Sequence, residues 1–254
     1  MKEPIDAVVA AGGRLRDHEA LRFGSDVKAL VRIGGLTLIE RIVAALRAAP
    51  EIGNVVVVGP ESVRRAAPDI DRWIPEASTG EENVLLALRA GRTARVLFCA
   101  SDMPFVRADA IADFLSRVPA AARAAYPVFA RDDFLAAYPG GRTRFVRLSD
   151  GEWTGGSVFA LDPAWLVERE ALLRRAFSAR KNPASLAGLF GPWVAARFAL
   201  GRVGITDIEA RATALLGSTV CVIRGADPCL AMDCDEVADF EFALARTSAP
   251  RPAS

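Results

Sequence analysis

The run Ile5-Asp6-Ala7-Val8-Val9-Ala10-Ala11 near the amino terminus stops abruptly at Gly12-Gly13-Arg14. A strand this apolar is a buried one, and a buried strand that empties into two glycines exposes backbone N–H groups at the carboxyl end of a sheet. An anionic phosphate can be held there. Glycine suits such a place because a Cβ would obstruct close approach to the backbone and because glycine tolerates positive φ. Arg14, Arg16 and Arg22, followed by Lys28 in Val27-Lys28-Ala29-Leu30, add positive charge to the same segment. An ordinary strand-to-loop turn would look the same locally. Phosphate binding is favoured by the position of this run as the first strand of an α/β pattern and by the motifs that follow.

The first half of the chain alternates in a βα rhythm. A strand over 5–11 is followed by an amphipathic helix over 36–49 and a strand over 54–58 that Gly59-Pro60 stops. A short helix over 62–66, a strand at 73–74, a helix over 81–90 and a strongly apolar strand over 95–100 continue the pattern. A helix over 107–117 and an extended stretch over 124–129 complete it. Such alternation implies a mostly parallel sheet covered by helices on both faces, an α/β fold of three layers.

The rhythm then changes. Residues 143–148 and 157–161 read as strands flanking the turn Ser149-Asp150-Gly151, so a hairpin or a bent sheet edge is expected. Residues 163–217 read as a helical insertion broken near Asn182-Pro183, Gly191-Pro192 and Gly201. Within it, Thr206 is expected to cap a helix that Gly217 ends. A late strand over 219–223 and a last helix over 236–245 follow. The expected organisation is a single domain over 1–246 with a flexible Pro/Ala/Ser-rich tail over 247–254.

Composition sets further limits. With 254 residues, 52% hydrophobic content and a formal net charge of +1, the chain suits one large α/β domain. The balanced charge gives no electrostatic reason to expect nucleic acid or an anionic membrane as partner. Cys99, Cys221, Cys229 and Cys234 form no CxxC pair; Cys99 and Cys221 lie in apolar strand-like runs and read as core residues, while Cys229 and Cys234 have too few further soft ligands nearby to favour a metal site. The start lacks the basic-then-apolar shape of a secretory signal and no apolar stretch is long enough to span a bilayer, so the cytoplasm is the expected location.

Two further segments carry chemistry. In Leu97-Phe98-Cys99-Ala100-Ser101-Asp102-Met103-Pro104, an aspartate directly follows a buried strand, at the sheet edge where open α/β folds collect ligands. Pro104 delays the next helix and biases Met103 towards extended geometry, which keeps the Asp102 carboxylate at the strand exit. Capping of the next helix is the alternative role for Asp102. In Ala231-Met232-Asp233-Cys234-Asp235-Glu236, two aspartates two positions apart on an extended segment point the same way. One or both could face a hard cation together with Asp102, since Mg²⁺ takes oxygen ligands and commonly only one or two protein carboxylates. Asp235 could equally be the N-cap of the last helix.

Together these segments resemble the MobA-like NTP-transferase family, nucleotidyltransferases with a Rossmann-like fold of the GT-A type. The resemblance lies in Val8-Val9-Ala10-Ala11-Gly12-Gly13-Arg14 with Lys28, in Ser101-Asp102-Met103-Pro104 and in Asp233-Cys234-Asp235-Glu236. It is supported by Ser78-Thr79-Gly80-Glu81-Glu82-Asn83 and by Thr154-Gly155-Gly156-Ser157. It covers roughly residues 5–162 and 219–245. The loop from Gly13 to Lys28 is longer than the family's, and Lys28 lacks the family's preceding proline or aspartate. Which of Arg14, Arg16 and Arg22 serves as the triphosphate arginine stays open.

The resemblance implies transfer of an NMP from an NTP to a phosphorylated small-molecule acceptor, with Mg²⁺ as cofactor and pyrophosphate as the leaving group. Ala11, Gly12 and Gly13 would hold the nucleotide phosphates, Arg14 and Lys28 their charge, and Asp102 with Asp235 or Asp233 the metal. Gly80 and Asn83 would meet base or ribose. Thr154, Gly155 and Gly156 are placed on the acceptor side. Arg180 and Lys181, at a break in the insertion, could reach the acceptor as part of a lid; a solvated helix end, or an oligomer interface for the block as a whole, is the alternative. His18, the single histidine, reads as a loop residue or at most a phosphate contact.

The chief rival is an NDP-sugar glycosyltransferase of the same fold type. That chemistry typically uses an Asp-x-Asp after the central strand, where this chain has only Asp102 before Met103-Pro104. A non-catalytic nucleotide-binding module is the other rival, and Asp102, Lys28 and Asp235 together speak against it. No GxGxxG follows a strand and no GxxxxGK[ST] occurs, which argues against a dinucleotide oxidoreductase and a P-loop NTPase.

Overall fold

The computed structural model describes residues 3–179, 182, 185 and 188–248. Strand β1 (Ile5–Ala10) lies at the centre of the main sheet and leads to helix α1 (Asp17–Phe23) and a 3₁₀ turn (Lys28–Leu30). A small hairpin of β2 (Arg32–Ile33) and β3 (Leu36–Thr37) precedes α2 (Leu38–Ala48). Then come β4 (Ile52–Gly59), α3 (Glu61–Ala66), β5 (Arg72–Pro75), α4 (Gly80–Ala90), β6 (Val96–Ala100) and α5 (Ala108–Arg117). The second half contributes β7 (Ala124–Ala130), α6 (Arg131–Ala137), β8 (Val146–Leu148), β9 (Gly151–Gly155) and β10 (Val158–Leu161). Helices α7 (Pro163–Val167), α8 (Glu170–Ala179), α9 (Pro192–Ala199) and α10 (Ile205–Leu216) form the insertion. Strand β11 (Val220–Arg224), a 3₁₀ turn (Pro228–Leu230) and α11 (Val237–Ser248) close the described chain.

Strands run in the order β5-β4-β1-β6-β10-β7, parallel except for β10. One edge of β7 carries β10 and then β9, both antiparallel, and its other edge carries β11 in parallel. Alternation along β1 sends Ala7 and Val9 to one face and Val8 to the other. The first face is buried with Ile39, Ile42 and Leu46 of α2 and with Ile111 and Phe114 of α5. The second is buried with Ala87, Leu88 and Ala90 of α4. The fold is thus the expected Rossmann-like α/β arrangement, a mostly parallel mixed sheet with helices on both faces.

Local chemistry explains the helix starts. The Thr37 hydroxyl accepts the Glu40 amide at 3.2 Å while the Glu40 carboxylate accepts the Thr37 amide at 2.7 Å, a reciprocal cap for α2. Thr79 caps α4 by accepting the Glu82 amide at 3.2 Å.

The structure corrects the reading after residue 130. The turn at 149–151 does join two strands, but they are β8 and β9, and β9 was not foreseen. The strand expected at 157–161 is β10, which pairs with β6 and β7 instead. The pairing sum along β7 shifts by two residues between Val128↔Gly155 and Ala125↔Ala160, so the chain kinks at Gly156-Ser157. Helices α1 and α6 and the β2–β3 hairpin were also missed. The N-cap of α10 is Gly204, not Thr206; the Asp207 carboxylate accepts the Gly204 amide at 2.9 Å and that of Asp150 accepts the Ile205 amide at 3.1 Å. Gly217, with φ 61°, ends that helix as expected. Residues 249–254 of the expected tail lie outside the described residues, and 247 and 248 belong to α11.

Candidate active site

Strands β1 and β6 are adjacent and parallel, with Ala10 opposite Ala100, so the chain leaves both at the same sheet edge. Gly12-Gly13 follows one strand and Asp102 the other. Lys28 is drawn to this edge because its amide donates to the Gly13 carbonyl at 3.0 Å, while Leu15 and Asp26 pair at 2.8 Å above it. The long loop from Gly13 to Lys28 is therefore a folded excursion through α1, not an open one. The late aspartates arrive because the Cys234 amide donates to the Asp102 carbonyl at 2.9 Å.

The Lys28 ammonium lies 2.7 Å from Asp235 Oδ1 and 3.7 Å from Asp102 Oδ2. Burial alone would lower the Lys28 pKa, but Asp102 and Asp235 outweigh it and hold the amine above its ordinary value. Asp102 is pushed up to about 6 by burial, with the Asp235 charge adding to it and Lys28 opposing it. Its second oxygen, Oδ1, is buried with no hydrogen-bond partner. Asp233 is raised to about 7 by burial and by Asp102 and Asp235, and its Oδ2 accepts from the Ser157 hydroxyl at 2.8 Å. At the start of α11 the Asp239 carboxylate accepts the Asp235 and Glu236 amides at 3.1 and 2.8 Å.

On the other side of the glycines, a Cβ at Gly12 would stand 2.5 Å from Asn83 Nδ2 and 2.6 Å from Glu76 Oε2. Glycine is required there by close approach. Asn83 is buried and its Oδ1 accepts the Ala77 amide at 2.6 Å, which fixes the amide group against the loop. Arg14 donates to the Gly12 carbonyl at 3.1 Å and pairs with Glu76, with Asp26 at 3.8 Å. Arg16 is engaged with Glu19 and Arg22 with Glu241, so Arg14 is the arginine of this loop that faces the glycines. His18 is exposed on α1. Glu76 is the site residue that sequence reading missed; a lone acid after the short strand β5 carries no motif.

The other candidates are placed differently. Ala11 is buried, its amide donating to Val58 at 2.7 Å. Gly80 opens α4, with the ring of Phe177 3.4 Å from where its Cβ would be. Thr154 is buried, with its hydroxyl 3.0 Å from that of Thr143. A Cβ on Gly155 would stand 1.6 Å from the Tyr126 hydroxyl, and one on Gly156 would be 2.7 Å from Pro127 Cγ. Close packing at the β9–β10 kink thus accounts for glycine at 155 and 156. Arg180 and Lys181 lie outside the described residues. Among the described residues no three His, Cys, Asp or Glu side chains form a group that could hold a metal ion, and no helix is long and apolar enough to cross a membrane.

A mostly parallel open sheet with a glycine loop, a lysine and an aspartate gathered at the carboxyl edge of its central strands defines a Rossmann-like α/β protein of the kind that binds ligands at that edge. The chain belongs to the family of the MobA-like NTP transferase domain, which it matches over residues 7–183. The match runs through α8, further into the insertion than the resemblance seen in the sequence, and ends before the late aspartates. A hypothetical transferase from Thermus thermophilus is 31% identical, with a TM-score of 0.82 over 94% of this chain and 100% of that one. The 4-diphosphocytidyl-2C-methyl-D-erythritol synthase of Anaerococcus prevotii shares the fold at 14% identity and TM-score 0.61, over 97% of each chain. A CMP:2-keto-3-deoxy-manno-octonic acid synthetase complexed with CTP does so at 15% identity and TM-score 0.57, over 96% of this chain and 98% of that one. No curated protein matches the chain.

Proposed function

We propose that this protein transfers a nucleoside monophosphate from an NTP to a phosphorylated small-molecule acceptor, releasing pyrophosphate. The observation that carries this reading is Lys28, charged and mostly buried, held between Asp102 and Asp235 beside Gly12-Gly13. Nucleotidyl transfer needs positioning and charge neutralisation more than covalent help from the protein. The Gly12 and Gly13 amides would take nucleotide phosphate oxygens. Lys28 would neutralise the charge that grows on the leaving pyrophosphate. Arg14 would join it on exchanging Glu76 for phosphate.

In the reaction an acceptor phosphate oxygen forms a bond to the α-phosphorus, and the bond from that phosphorus to the α,β-bridging oxygen breaks. The attacking phosphate has a second pKa of about 6 and is largely ionised at neutral pH, so no side chain need remove a proton. This agrees with a site whose nearest histidine, His18, lies out on α1.

The donor set fits a hard divalent cation: carboxylate oxygens only, one of them the unpartnered Asp102 Oδ1. Asp102 together with Asp235 or Asp233 would hold Mg²⁺. Bound there, the ion would offset phosphate charge and orient the α-phosphate.

The test is a pyrophosphate-release screen of the four NTPs, with Mg²⁺, against a panel of phosphorylated acceptors. The expected result is release with one NTP and one acceptor class, and a nucleotidylated product of matching mass. Sugar transfer from an NDP-sugar, with no pyrophosphate from any NTP, would replace this reading by glycosyl transfer.

A further inference from the structure

The insertion was expected over the acceptor, yet the described part of α8 lies along α4, on the Gly80–Asn83 side of the glycine loop. Two ion pairs fasten it there, backed by one within the helix. Arg174 pairs with Glu81 of α4 and, at 2.6 Å, with Glu170 of its own helix, and Arg89 of α4 reaches Glu170 at 2.6 Å. Leu173 adds an apolar anchor by packing with the cluster that contains Ala87 and Leu88 of α4. The helix that results is held at both its first and its middle turns.

One side chain of this helix reaches past those anchors. The half-buried ring of Phe177 has its Cζ 3.4 Å and Cε1 4.0 Å from where a Gly80 Cβ would stand. Gly80 and Asn83 are three apart on α4 and so share a face, about 4.5 Å separating them along the axis. Asn83 in turn places its Nδ2 over Gly12. A continuous line therefore runs from the phosphate glycines, through Asn83, to the Phe177 ring. A nucleoside whose phosphates sat on Gly12-Gly13 and whose base extended along α4 would meet that ring.

We propose that Phe177 is a base-contacting residue of the nucleotide site, and that α8 walls the nucleotide side of the cleft, not the acceptor side. This rests on the nucleotidyltransferase reading above. An aromatic face suits any nucleobase, because each base presents a π-surface; removing such a contact from single-stranded nucleic-acid sites costs about 1–3 kcal/mol per base. Glycine at position 80 keeps the surface beside the ring low. Selection among bases then falls to polar groups beside the ring, Asn83 among them, and Phe177 supplies affinity common to all NTPs it admits.

The experiment measures binding of the four NTPs and of inorganic tripolyphosphate, each with Mg²⁺, to wild type, Phe177→Ala, Phe177→Leu and Phe177→Trp. Melting temperatures are recorded in parallel. The expected result is about tenfold weaker binding of the preferred NTP to Phe177→Ala, with tripolyphosphate unchanged. Phe177→Leu, which keeps an apolar side chain and so guards against simple misfolding, should lie between, and Phe177→Trp should match or exceed wild type. Equal losses for NTP and tripolyphosphate would overturn the proposal, as would a rise in acceptor KM with NTP binding intact. A wild-type protein that binds no NTP would instead reject the nucleotidyltransferase reading and leave no base for Phe177 to meet.

Discussion

Lys28 and Asp102 face each other across 3.7 Å with side chains only 14% and 16% exposed, although one comes from the loop after β1 and the other from the exit of β6. The pair is unequal. Lys28 also has Asp235 at 2.7 Å, whereas Asp102 keeps one oxygen buried without a partner. Burial therefore costs the carboxylate more than the amine, and charge is held at the sheet edge at the expense of stability.

Lys28→Met should abolish most nucleotidyl transfer. Loss of one charge-stabilising donor in a transition state typically lowers kcat by about 10²–10³. The variant also leaves Asp102 and Asp235 without their shared cation, so its melting temperature should fall. Adding Asp102→Asn should restore much of that stability and none of the activity. Separate, additive losses of stability in the double variant would show that the two side chains do not interact.

Asp102→Asn alone should be more stable than wild type in chelator-treated buffer at neutral pH. The substitution removes a buried charge with an unpaired oxygen, and Lys28 keeps Asp235. The amide carries no charge to desolvate, and a higher melting temperature is expected on that ground although one polar atom still lacks a partner. Thermal unfolding with excess chelator decides it, and a melting temperature below wild type would contradict the burial argument. Activity should be lost in the same variant.

Gly155→Ala should destabilise the β9–β10 kink by about 1–3 kcal/mol, as overpacking does. The added methyl would collide with the Tyr126 hydroxyl at 1.6 Å and its Cζ at 2.4 Å, and Tyr126 is held by stacking on Phe159 with ring centres 4.6 Å apart. Tyr126→Phe should not rescue it, since the ring carbon remains in the way; Tyr126→Leu should do so in part. Denaturant midpoints of the single and double variants measure this. Additive effects would place the strain elsewhere.

Acid should unmask the contribution of Glu19. Its carboxylate is lowered to about 2, chiefly by the Arg16 side chain, which donates at 2.6 Å, and by the Arg16 amide at 2.8 Å. A depressed folded-state pKa means that this stability is fully present above the ordinary value near 4.5 and is lost as pH falls from there towards 2. Glu19→Gln should therefore flatten the pH dependence of the melting temperature over that window while lying below wild type at pH 7. An unchanged slope would show that α1 does not depend on this cap.

The sequence by itself determined the βα frame and the chemistry at its edge. Strongly periodic or wholly apolar segments such as β1, β6, α2 and α5 declare themselves because burial on one or both faces imposes a regular pattern. Gly12, Gly13 and Asp102 were legible because strand ends bring ligands' chemistry to fixed places in chain order. The short pieces were not: α1, α6 and the β2–β3 hairpin have too few turns or pairs to show a period, and β9 was hidden because five residues bounded by Gly151 and Gly155 read as part of a turn. Tertiary structure alone decided which charges meet. That Asp235 reaches Lys28 while Asp233 takes the Ser157 hydroxyl, that Arg14 closes on Glu76, and that α8 lies along α4 all depend on long-range pairing across the sheet edge. Such contacts arise from packing between elements distant in the chain, and local propensity carries no record of them.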